Sequence, residues 1–139
     1  MTTKIFVNLP VKDLDRSMAF FRALDLEFNP DFTDERAACL VFSDDIYAML
    51  LTEPFFATFT PKPVADATKA TEVMTALSAD SREAVDALVG KAVKAGGTEA
   101  HEPIDHGFMY ERLFSDPDGH VWAIVWMDTA QMDAARGAA

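Results

Sequence analysis

The feature that most constrains this chain is a repeat in the order of its hydrophobic periods. Lys4–Val11 alternates with period two, as a strand does, and Asp13 then offers a side-chain cap to a helical stripe through Leu14, Met18, Phe21 and Leu24, widened by Phe20. The same order returns later. Glu72–Ala79 reads as a strand, Ser81 as a cap, and Val85, Leu88, Val89, Ala92 and Val93 as a helical stripe that Gly96-Gly97 stops. The strand–helix junctions Val11-Lys12-Asp13 and Ala79-Asp80-Ser81 lie 68 positions apart. Three strands are expected after each helix. In the first half these are a short one at Glu27–Phe32, broken by Pro30, then Ala37–Phe42 and Ile46–Thr52 around the turn Ser43-Asp44-Asp45. In the second they are Thr98–Ile104, Phe108–Phe114 and His120–Trp126, the last two joined by Asp116-Pro117-Asp118-Gly119. Laying Leu50 on Ala123 sets the last strands 73 positions apart.

A β-α-β-β-β order met twice predicts two stacked supersecondary units. The expected class is α+β: one domain over 1–139, with modules at about 4–53 and 71–128 whose curved sheets surround a cleft. Between them, Phe55–Ala70 has no clean period but holds Phe55, Phe56, Phe59, Pro61 and Pro63. A solvated tether would be poorer in phenylalanine, so this segment is expected to fold back and lid or line the cleft, or to join the core or a dimer interface. The polar, Ala-rich tail from Asp128 is expected to add at most a short helix.

Charge narrows the partners. With 23 acidic against 12 basic residues, a net charge of −11 repels a phosphate backbone, and no basic stripe offsets it. Nucleic acid is therefore not an expected partner. No run of 18 apolar residues is present, so no membrane partner is expected, and MTTKIFVNLPVKDLD lacks the apolar centre of a signal peptide. A lone cysteine, Cys39, within AACLVF, reads as a small buried hydrophobe and suits a reducing cytoplasm.

The strand running into Val11-Lys12-Asp13-Leu14 and a helix, together with Asp116-Pro117-Asp118-Gly119 before the last strand, resembles the vicinal oxygen chelate superfamily of glyoxalases, bleomycin-resistance proteins and extradiol dioxygenases. The stretch Ile5–Leu14, with Gly107-Phe108-Met109-Tyr110 and Trp126-Met127-Asp128, resembles its bacterial branch labelled predicted lactoylglutathione lyase. The resemblance implies paired βαβββ modules and, in metal-using members, four ligands from the first and fourth strands. Carried over, those positions fall on Phe6, Leu50, Met74 and Ala123. Phe, Leu and Ala have no donor atom, and a thioether suits Cu(I) rather than a hard divalent ion. No metal and no other cofactor is therefore expected.

Other residues carry weaker signals. Asn8 shares the Phe6 face and either bonds neighbouring backbone or orients a ligand. Tyr110 and Arg112 share a face of one strand, and Arg112 either clamps an anionic ligand group or pairs with one of the many carboxylates. His101, His106 and His120 match no metal-ligand spacing, and Glu53 is a base candidate only by its place after a strand. The expected function is a metal-free small-molecule binding protein with a largely apolar ligand, assembled as a homodimer. The alternatives are a glyoxalase-like lyase or isomerase or a dioxygenase relative with displaced ligands, and a ligand-free interaction protein.

Overall fold

The structure is a computed structural model that describes residues 3–130. The tail beyond Ala130 lies outside the described residues. The chain divides into two compact units, Met1–Ala70 and Thr71–Ala139. The fold is mixed α+β, with two open sheets.

In the first unit β1 (Ile5–Val11) leads into α1 (Leu14–Ala23), then β2 (Glu27–Asn29), a 3₁₀ turn at Pro30–Phe32, β3 (Ala37–Val41), β4 (Ile46–Thr52) and α2 (Glu53–Ala57). The sheet order is β1-β4-β3-β2, with β1 and β4 parallel and the other pairs antiparallel. Asp13 caps α1 as expected, its carboxylate accepting the Arg16 N–H at 3.1 Å. Leu14, Ser17, Phe20 and Phe21 are the buried face of that helix. Arg22 at its end stacks over Phe28 of β2, 5.4 Å from the ring centre, so α1 lies over the Phe28 face of the sheet. Phe28 pairs with Leu40, Leu40 with Ala48, and Ala38 with Leu50, so this face carries Ala38, Leu40, Ala48 and Leu50, each fully buried.

The second unit repeats the plan with β5 (Met74–Ser78), α3 (Arg82–Lys94), β6 (Thr98–Glu99), β7 (Ile104–Asp105), β8 (Met109–Ser115) and β9 (Val121–Met127). The order is β5-β9-β8-β6, with β7 also pairing β8. Ser81 caps α3 by accepting the Ala84 N–H at 3.0 Å, and Gly96, at φ +112°, ends it in a conformation other residues rarely adopt. Val85, Val89 and Ala92 are buried as the stripe predicted, but Val93 is 45% exposed.

Two expectations need correction. Thr98–Ile104 is two short strands, because a bend at His101 and then Pro103 interrupt the ladder. Phe55–Ala70 is not all irregular: it opens on α2, with Glu53 in the first turn and Pro54 where a missing N–H costs nothing.

Candidate functional site

The pairing registers settle which side chains share a face. In the first sheet Phe6 pairs with Tyr47, Asn8 with Met49 and Pro10 with Leu51, and Met49 with Cys39 on β3. These residues form the face opposite α1. Phe6 and Tyr47 stack with ring centres 4.8 Å apart and planes 9° from parallel. Asn8 is exposed, and its amide donates to the Phe6 carbonyl at 3.1 Å, the backbone-bonding alternative rather than a bare ligand contact. Cys39 is buried, and burial pushes its thiol pKa up, so it is a poor thiolate.

Leu50 does not belong with Phe6 and Asn8. It pairs with Leu9 and faces α1, fully buried. The repeat itself shows why. Laying Phe6 on Met74, 68 positions on, brings their ladder partners Tyr47 and Val121 together, an offset of 74 rather than 73. The counterpart of Ala123 is therefore Met49. A slip of one residue moves a side chain to the other face of a strand.

In the second sheet Met74 pairs with Val121, Ala76 with Ala123, and Leu113 with Ala123 from the other side. This face is free of α3. Met74 is 63% exposed, whereas Ala123 is buried. Tyr110 and Arg112 do share a face, but it is the opposite one, under α3. The Tyr110 hydroxyl donates to Asp86 of α3 at 2.7 Å, and Arg112 Nη1 donates to the same oxygen at 3.0 Å. Arg112 also binds Glu99 of β6, Nη2 to Oε2 at 2.8 Å. Both residues therefore tie a helix to its sheet, and the expectation that they join Met74 and Ala123 is corrected. These contacts hold the Asp86 carboxyl below its ordinary pKa, the Tyr110 hydrogen bond contributing most.

Two features escaped sequence reasoning. Arg82, the first residue of α3, forks onto Asp105 at 2.8 and 2.9 Å and donates to the Gly107 carbonyl. Its guanidinium lies 5.1 Å from the Tyr110 ring centre and 5.2 Å from that of Trp126. The second is an open groove of about 500 Å³ in the first unit, lined by Asp25, Glu27, Phe28, Asn29, Val41 and Tyr47 among others. That volume lies in the range of small-molecule sites. It contains none of the nominated residues, although Tyr47 joins it to Phe6. Glu27 opposes Val41, and Val41 opposes Tyr47, so the groove opens onto the face that carries Met49 and Asn8. Only its acidic rim, Asp25 and Glu27, had a signal in the sequence, and that signal was charge without a pattern.

The remaining nominations are accounted for locally. His101 Nδ1 lies 2.7 Å from the Glu102 carbonyl, and the His120 N–H donates to Asp116. Glu53 begins α2. Phe55 and Phe59 meet edge to face at 5.1 Å, Arg36 stacks on Phe55, and Phe59 remains 68% exposed. The α2 segment packs on β1 and β4 of its own unit, so part of the aromatic segment does fold back. Among the described residues no group of three or more His, Cys, Asp or Glu side chains is placed to hold a metal ion.

Comparison with known proteins agrees with this plan. The chain matches the family model of the glyoxalase/bleomycin resistance protein/dioxygenase superfamily over residues 5–124. A hypothetical protein, SA1046 from S. aureus, is 29% identical with a TM-score of 0.76, the match covering 91% of this chain and 95% of that one. A glyoxalase/bleomycin resistance protein/dioxygenase family enzyme from Burkholderia phytofirmans PsJN superposes at TM-score 0.74 with 19% identity, covering 91% and 99% of the two chains. The bleomycin resistance determinant encoded on transposon Tn5 superposes at 0.64 with 20% identity, covering 91% and 99%. No curated protein sequence matches significantly. With two βαβββ units and a family match across nearly all of their length, the chain belongs to the glyoxalase/bleomycin resistance protein/dioxygenase superfamily.

Proposed function

We propose that this chain is a small-molecule binding member of the superfamily that works without the divalent metal of its metal-using relatives. One observation carries the reading. The four register-equivalent positions on the faces away from α1 and α3 hold Phe6, Met49, Met74 and Ala123, two hydrocarbons and two thioethers. None offers an oxygen or nitrogen donor, and thioethers do not hold Mg, Mn, Ni or Zn. The residues present do not fit the metal, so no step is derived through one.

What the face of the first sheet away from α1 offers is recognition. The Phe6–Tyr47 stack gives an apolar platform, and the adjoining groove adds the amide of Asn29 and the carboxylates of Asp25 and Glu27 on its rim. A largely apolar ligand with a small polar or cationic group matches that lining. The Tn5 bleomycin resistance determinant shares the fold, which is compatible with sequestration. The two units are read as one domain, and the molecule as a homodimer in the cytoplasm.

The test is a thermal-shift screen of metals and metabolites, since whatever binds the native state raises its melting temperature. A compound that stabilises the wild type but not Tyr47→Ala supports the reading. Stabilisation by a divalent metal, with chelator-sensitive turnover of a 2-oxoaldehyde adduct or a catechol, would favour the enzyme instead.

A further inference from the structure

We propose that His106, Met109 and Met127 form a soft-metal site that takes one Cu(I) ion. The site follows from the register at the end of the second sheet. Asp105 of β7 pairs with Tyr110 of β8, and Tyr110 with Trp126 of β9. This row faces α3, because Arg82 binds Asp105 and stacks on both Tyr110 and Trp126. The next row must face the other way. It consists of His106, whose N–H donates to the Met109 carbonyl at 2.8 Å, then Met109 itself, and Met127 paired with it. Gly107, at φ +82°, makes the tight turn that brings His106 back opposite Met109.

β8, β9 and the residue after β7 thus present one imidazole and two thioethers, side by side on the face away from α3. Neighbouring strands lie about 4.8 Å apart, and opposed Cβ atoms on one face about 4.5–5.5 Å apart. Two flexible thioethers and a ring nitrogen are therefore within reach of one point above the central Met109. The row is open to solvent: Met127 is 38% exposed, His106 is exposed and Met109 half-buried. Thioether donors select Cu(I) over hard divalent ions, and imidazole accepts copper readily. The site lies on the second unit alone and uses none of the four superfamily ligand positions, so it stands or falls independently of the proposed function.

The experiment is an anaerobic titration of the whole protein with Cu(I) against a coloured Cu(I) chelator. One equivalent should bind, with no displacement by equimolar Zn(II) or Ni(II). Met109→Leu, Met127→Leu and His106→Gln should each weaken binding at least tenfold, while Met18→Leu, on α1, stays within twofold. Circular dichroism melts identify any variant that fails to fold, and His106→Gln and Met127→Leu, on the exposed row ends, then carry the test. Affinity unchanged in those two variants overturns the proposal, as does binding that Cys39→Ala abolishes.

Discussion

Asp116 is nominated by sequence only as part of a turn, yet it is a buried carboxylate that accepts three hydrogen bonds. One oxygen accepts the N–H groups of Asp118 and His120, the other the indole N–H of the fully buried Trp122, each at 3.0 Å. Burial, the dominant effect, holds its pKa above the ordinary carboxylate value. Asp116→Ala should cost about 2–4 kcal/mol in urea unfolding, because each orphaned buried donor costs roughly 1–3 kcal/mol. A cost under about 0.5 kcal/mol would mean that water replaces the carboxylate. Asp105 behaves oppositely. The Arg82 fork holds its pKa down to about 2, below the ordinary 3.8 of an aspartate. A lowered carboxylate pKa contributes stability above the unfolded value and loses it as pH falls toward the folded one. Wild type should therefore lose stability relative to Asp105→Asn between about pH 4 and pH 2. Parallel acid-unfolding curves for the two proteins would contradict this. Because the pair is exposed, the difference should shrink in high salt.

At the scale of elements, Arg112 joins α3 and β6 through Asp86 and Glu99. Arg112→Met should destabilise the fold by about 1–2 kcal/mol, since both carboxylates stay partly hydrated, and should speed amide exchange in β6. If exchange there is unchanged but ligand affinity collapses, Arg112 is a ligand clamp after all. The same elements show what the sequence could reveal. Caps marked the starts of α1 and α3, and Gly96-Gly97 the end of α3, because a cap needs a particular residue type at one place. Strand faces were harder. In β4 Ala48, Leu50 and Leu51 are all buried, so no polar residue phases the alternation, and the pattern alone does not tell Leu50 from Met49. For Tyr110 and Arg112 the shared face was legible, but which face α3 covers is decided by Asp86, 26 residues from Arg112. The Asp25–Tyr47 groove is assembled from three separate stretches, and no local pattern could announce it.

For the whole molecule, Ile5 and its ladder partner Ile46 expose apolar surface on one face at the β1 edge of the first sheet, being 52% and 43% accessible. Such a patch invites a partner surface. Sedimentation equilibrium at micromolar concentration should give twice the 15.3 kDa chain mass, and a clean monomer would refute the dimer. We propose that the divalent metal of the superfamily's metal-using members has been lost in this chain. The proposal rests on Phe6, Met49, Met74 and Ala123 standing where the resemblance implies ligands in metal-using members. Elemental analysis of protein purified without chelators, from cells supplied with Ni, Zn, Mn and Fe, tests it most directly. The account predicts well under a tenth of an equivalent of any of these metals or of Mg. About one equivalent of a single divalent metal, lost together with activity on chelation, would contradict it.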